Sequence, residues 1–265
     1  MDTISVTSWN ELQDRLFEGA WMPDLHLYRS QYAFRGLSRA DYPLETSLFR
    51  LCKGHADLER HLLRNFRKYA HRDIVERDSL WYWLSVAQHH GLPTRLMDWT
   101  FSPYVAMHFA TARTEKFDMD GAIWAVNYKR VHEALPNSLL ELLNREGSDV
   151  FTVDMLTEKV DALDEFDALA EEDFVLFFEP PSIDDRIVNQ FALFSVVSNP
   201  LTPLDSWLEN HPEVYRKIII PSGLKWEIRD KLDQANITER VLFPGLDGLS
   251  SWMKRQYTPR RRSRE

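Results

Sequence analysis

Past Gly121 the chain turns from helical patterning to short runs of branched and aromatic residues: Ala122–Tyr128 (AIWAVNY), Asp173–Phe178 (DFVLFF), Arg186–Val197 (RIVNQFALFSVV) and Arg216–Pro221 (RKIIIP). Such runs fit a pleated, half-buried surface. They are expected to build one sheet. The residues before Gly121 read as helices that cover it. In TSWNELQDRLF, Ser8 and Glu11 have capping-box spacing, and Trp9, Leu12 and Leu16 form an apolar stripe. A long helix is expected from about Ala56 to Arg77, with Leu58, Leu62, Phe66 and Tyr69 as its core face. The next carries Leu80, Trp83, Leu84 and Ala87, with Asp78 or Ser79 to cap it and Gly91 to end it. LPTRLMDWTF then reads as a connecting loop, after which Ser102 as N-cap and Pro103 at the first position open a helix bearing Val105, Phe109 and Ala112. The class expected is α+β, with N-terminal helices packed on a mainly antiparallel sheet built largely from the second half.

A chain of 265 residues with 44% hydrophobic content can bury a sizeable core, and no linker or repeat divides it. Residues 1–256 are expected to form one domain, with an acidic segment over 131–172 that is helical or mobile. Helices through Ile228 and Leu232 and through Leu249 and Trp252 close the chain, and 257–265 read as a basic disordered tail. The balance of 32 Lys+Arg against 41 Asp+Glu, a net charge of -9, gives no broad electrostatic footprint for duplex nucleic acid. One cysteine, Cys52, rules out an internal disulfide framework. No apolar run suits a signal peptide or membrane span, so a cytoplasmic protein without a membrane partner is expected.

Phosphate loops, dinucleotide-binding glycine turns, H-E-x-x-H and G-x-S-x-G are all missing from the sequence. Polar side chains concentrate instead in Ala87–Ala110, AQHHGLPTRLMDWTFSPYVAMHFA, which holds Gln88, His89, His90, Arg95, Asp98, Thr100, Ser102 and His108. Each has a plain structural reading. Arg95 and Asp98 can pair across a loop, Thr100 and Ser102 can cap a helix, His89 and His90 can sit at a helix end, and His108 falls on a core stripe. Adjacent histidines on a helix point about 100° apart, so His89 and His90 make a poor metal pair and no metal site is expected. Arg35 could brace its loop through carbonyls or Glu45. Equally, a fixed, charged fork at a strand end can hold a phosphate or ribose, with Gly36 leaving room for the ligand.

The segments YAFRGLS, LETSLFR, QHHGLPTRLMDWTFSPYVAMHFA, DRIVNQFALFSV and the KIIIP to LDGL ending closely resemble the FRG-domain family, named for motifs of the Phe34-Arg35-Gly36 type. That resemblance runs from about Ser8 to Tyr257 and implies a single FRG-type domain. A second resemblance is to arginine-specific mono-ADP-ribosyltransferases, which have a Tyr/Phe-Arg-Gly strand whose arginine holds NAD and a Ser-Thr-Ser strand leading into A-x-x-F. Phe34-Arg35-Gly36 stands for the first, and Thr100-Phe101-Ser102 with Ala106 and Phe109 for the second. The likeness implies an ADP-ribosyltransferase-like sheet and an NAD-dependent transferase, with Arg35, Gly36, Thr100, Ser102, Tyr104 and Trp99 around the dinucleotide. The glutamate that family uses on the ribose has no clear counterpart; Gln190 or Glu179 stands nearest. His89, His90 or Asp98 would activate an acceptor, a protein or a nucleic acid, and a partner could inhibit or activate the enzyme. FRG-like proteins resemble stand-alone bacterial effectors, which implies a toxin or phage-defence role. Two other classes stay open: a nuclease or phosphotransfer enzyme using His89, His90 and Asp98 with Arg35 and Arg95 on phosphate, and a sensing module that binds a nucleotide without turnover.

Overall fold

The main sheet takes two of its central strands from the first hundred residues. The computed structural model describes residues 3–52, 58–70 and 79–259. Its sheet runs in the order β1 (Thr3–Ser5), β10 (Tyr215–Ile220), β6 (Gly121–Asn127), β4 (Tyr32–Leu37), β5 (Leu96–Thr100), β9 (Ala192–Val197), β8 (Val175–Glu179) and β7 (Phe151–Thr152). Pairing is antiparallel except at the two edges, where β1 joins β10 and β7 joins β8 in parallel. A separate hairpin joins β2 (Trp21–Met22) to β3 (Leu27–Tyr28).

Early in the chain come α1 (Trp9–Phe17), α2 (Ser47–Cys52), α3 (Leu58–Ala70), α4 (Leu80–His89) and α5 (Pro103–Ala110). Between β6 and β9 lie α6 (Tyr128–His132), α7 (Asn137–Glu146), α8 (Val153–Lys159), α9 (Leu163–Asp167) and α10 (Asp185–Asn189). The last are α11 (Leu204–Glu209), α12 (Lys225–Gln234), α13 (Glu239–Leu242) and α14 (Leu246–Tyr257).

Strand alternation sorts the core into three clusters. One sheet face carries Ala33, Met97, Trp99, Trp124, Leu193, Val175 and Phe177, covered by α6 and α11 residues. On the other face the core divides. Phe34, Ile123, Ala125, Ile218 and Ile220 pack under α1, α5 and α12. Leu96, Phe194, Val196, Leu176 and Phe178 pack under α4 and α7–α9. The boundary between those clusters falls at the junction of β4 and β5. Residues 131–172 are largely helical, and their Leu139, Leu142, Leu156, Leu163 and Phe166 belong to the core around Trp81.

Several local expectations need correction. LMDWT is a strand and not a loop; its polar Asp98 sits on an exposed patch where burial would otherwise demand an apolar residue. The inner face of α3 is Glu59, Leu63 and Phe66, which packs on Trp83 as expected, while Leu58 and Tyr69 are exposed; the buried ion pair from Glu59 to Arg95 lies on that inner face. Residues 56–57 and 71–77 of that expected helix, the Asp78 cap, and tail residues 260–265 lie outside the described residues. Ser79 does cap α4, accepting from the Tyr82 N–H. Ser8 caps α1, while Glu11 turns to Thr7 N–H and hydroxyl instead of closing a capping box on Ser8. The run from Arg186 is helical as far as Asn189 and becomes strand only at Ala192.

Candidate functional site

β6, β4 and their neighbours are laddered along their lengths, but β4 and β5 pair only at Phe34 and Thr100. Where that ladder stops, the two half-sheets part. A side chain replaces the missing backbone bond: Arg35 Nη1 donates to the Asp98 carbonyl. By strand alternation Arg35 springs from the face opposite Phe34, and its bond to Asp98 shows the guanidinium reaching across to β5. Its Nε is buried and has no partner. Burial holds the Arg35 pKa below the usual guanidinium value; Asp98 opposes this and nearby Arg50 adds to it.

The gap is a cavity of about 230 Å³. Its floor and walls come from Phe34, Arg35, Gly36, Asp98, Thr100 and Phe194 of the sheet, Gln88 and His89 at the end of α4, and Phe109 of α5. Arg186, Ile187 and Gln190, on or just after α10, cover it. Two shallower grooves open from it. One passes Ser47, His90 and Gly91, the other Asp184, Asp185, Phe243 and Asp247; His89 and Arg186 line the cavity and both grooves.

The expected site residues divide on this geometry. Arg35, Gly36, Gln88, His89, Asp98, Trp99, Thr100 and Gln190 meet at the cavity. Asp98 accepts from Gln88 Nε2 at 3.0 Å, and Gln88 Oε1 accepts from Thr94. The Thr100 hydroxyl donates to the Gln190 carbonyl at 2.7 Å and accepts from Ser102 N–H, so it stitches β5 to the end of α10. Gln190 stands after α10 and not on a strand: its Nε2 donates to the Leu242 carbonyl, and Phe191 follows with φ 48° to turn the chain into β9. Glu179, its rival, ends β8 outside the cavity lining, with its pKa raised by burial.

Lining the cavity is not enough to fill an expected role, and several expected residues lie elsewhere. Gly36 lines the cavity and also leaves room for α5, since a Cβ there would lie 1.8 Å from the Ala106 carbonyl oxygen. Ser102 is the N-cap of α5, accepting from Val105 N–H, and does not line the cavity. Tyr104 donates its hydroxyl to Gln13 and packs beside Phe17. Trp99 is 4% exposed, bonded to Ser195 and packed on Phe177, so its ring has no free face to offer. Arg95 does not pair with Asp98; buried, it pairs with Glu59 and Asp167 and is unavailable to phosphate. His108 is a fully buried histidine against Arg229, and burial with that neighbouring charge pushes its pKa down to about 3. Arg35 does not reach Glu45, whose carbonyl is bonded by Arg50.

Arg186 is the charged cavity residue that the sequence reading missed. It sits over the Phe243 ring at 5.1 Å and points an Nη toward the His89 carbonyl. Asp184 was missed with it: it caps α10 through Ile187 N–H and bonds His89 Nε2 at 2.6 Å. An Asp three residues before Ile187 was the available helix-start signal. Among the described residues no group of His, Cys, Asp and Glu could hold a metal ion, and no helix is long and apolar enough to cross a membrane.

Residues 30–119 match the FRG domain family, a stretch that contains β4, β5, α4 and α5 and hence Arg35, His89, Asp98 and Thr100. No curated protein matches the chain. No solved structure matches it either.

Proposed function

We propose that the chain is an NAD-dependent ADP-ribosyltransferase whose dinucleotide enters the cavity between β4 and β5. The observation that carries this reading is the juxtaposition at the Phe34–Thr100 pair. Arg35, Thr100 and Gln190, far apart in sequence, converge on one cavity at the point where the sheet opens. Arg35 lines the cavity with its Nη1 held by the Asp98 carbonyl, and a guanidinium fixed in this way suits a phosphate or ribose oxygen. Arg186 supplies a second cation over the same space, which suits a diphosphate. At about 230 Å³ the cavity is smaller than the roughly 300 Å³ at which drug-sized sites begin. It therefore takes the nicotinamide-ribose end, and the remainder lies in an adjoining groove.

Roles follow from what each side chain still has free. Arg35 clamps phosphate or ribose. Thr100 shapes the seam, since its hydroxyl is committed to Gln190. Gln190 has its NH₂ held by Leu242, which leaves Oε1 to accept from a ribose hydroxyl. An amide lacks the full negative charge that would best stabilise an oxocarbenium-like centre, so slow turnover is expected. A phosphotransfer reading is weakened because Arg95 is locked in its buried ion pairs.

Labelled NAD incubated with the protein and cell extract tests the reading through nicotinamide release and label transfer. Wild type should release nicotinamide, Arg35→Ala should not, and Gln190→Ala should release it more slowly. Wild-type protein that neither binds nor turns over NAD, with extract present, would refute it.

A further inference from the structure

His89, with Arg186, lines the cavity and both open grooves, so a reactant held inside and one arriving from outside would meet beside it. Its side chain is 9% exposed and bonded through Nε2 to Asp184 Oδ2 at 2.6 Å. Asp184 is itself fixed as the N-cap of α10, where it accepts from Ile187 N–H at 3.2 Å. A carboxylate on Nε2 puts the imidazole proton there and leaves the lone pair on Nδ1. We infer that His89 is the general base of the reaction, oriented by Asp184, and that the acceptor it serves is a hydroxyl, water in the simplest case. This rests on the NAD reading above.

Of the other candidate bases, Asp98 lines the cavity but its carboxylate is oriented only by the neutral Gln88 amide, while His90 lines the grooves but not the cavity. The balance of the step is simple. The acceptor O–H gives its proton to His89 Nδ1, and its oxygen forms the bond to the ribose anomeric carbon. The bond from that carbon to the nicotinamide nitrogen breaks, and its electron pair leaves with neutral nicotinamide. Nothing is oxidised or reduced. Asp184 stabilises the imidazolium and acts as a positioning residue. Burial raises the Asp184 pKa, but the Ile187 N–H and His89 lower it further, so the group stays a carboxylate. The charged groups that share His89's surroundings are Asp184, Asp185 and Arg186 around α10, Asp98 of β5, Arg35 of β4, Asp247 of α14 and the neighbouring His90.

The test uses NAD as substrate in water and in methanol–water, reading nicotinamide, ADP-ribose and methyl ADP-ribose against pH for the full chain. Wild-type rate should rise with pH. His89→Gln should bind NAD within about twofold of wild type yet turn over about a hundredfold more slowly, with a flat profile. Asp184→Asn, which keeps an equally good helix cap, should lower the rate without weakening NAD binding. If wild type turns over NAD and His89→Gln does so within twofold with the same pH profile, the base assignment is wrong while the NAD reading stands. If wild type binds no NAD, both fall.

Discussion

Gly36→Ala separates two uses of a glycine beside a ligand-sized cavity. An added Cβ would sit 1.8 Å from the Ala106 carbonyl oxygen and 2.7 Å from the Ala110 nitrogen, both backbone atoms of α5. No rotamer can relieve such a contact, so either α5 lifts from β4 or the strand shifts. Inserting a methyl into a packed interior costs roughly 1–3 kcal/mol even where side chains can yield. With backbone on both sides the cost should lie at or above the top of that range, about 3 kcal/mol. For a chain of this size each kcal/mol lowers Tm by about 2–4 °C, so the variant should melt roughly 6–12 °C below wild type. Thermal unfolding followed by circular dichroism reads this directly, without any ligand. A variant that melts like wild type but has lost ligand binding would refute the packing account and return Gly36 to the role of making space for a ligand.

Other consequences of the structure can be checked in the same way. Arg95→Met leaves Glu59, 1% exposed, without its cation, and should cost about 3–5 kcal/mol in chemical denaturation, whereas Arg95→Met with Glu59→Leu should recover much of the loss. His108 and His132 are buried, which pushes their pKa values down to about 3 and about 4 from 6.5. Both are neutral when folded, so the unfolded chain binds more protons between those values and 6.5. Their contribution is therefore full above pH 6.5 and is lost as pH falls below it, at up to about 1.4 kcal/mol per pH unit for each histidine. His132→Gln should flatten that slope in urea titrations between pH 4 and 6.5; an unchanged slope would show that His132 is not buried neutral.

Hydrophobic periodicity made the helices around Leu12, Trp83, Val105 and Leu232 legible, and β-branched runs did the same for β6, β8 and β10. Failures gathered where side chains serve long-range partners. β5 reads as a loop because Asp98 is polar for the sake of the cavity mouth, and Arg95, just before it, is charged for Glu59 and Asp167. The place of Glu59 on the inner face of α3 was missed for the same reason. A buried glutamate has no signature until its arginine is found. The α10 turn hid inside a β-prone string because Phe191, and not a glycine, adopts positive φ there. Of the candidate site, Arg35, His89, Asp98, Thr100 and Gln190 were visible as residue types in motifs. Their meeting at the one-pair junction of β4 and β5 was not, since it depends on where a ladder ends.

The most direct measurement of the central claim is an NAD titration of wild type and Arg35→Lys by calorimetry at fixed salt. Lysine keeps the charge but not the planar fork, whose Nη1 bonds the Asp98 carbonyl. The account predicts saturable binding to wild type at one site and affinity at least about tenfold weaker for the variant, roughly 1.4 kcal/mol. Equal affinity in the two proteins, or no binding to wild type, would contradict it.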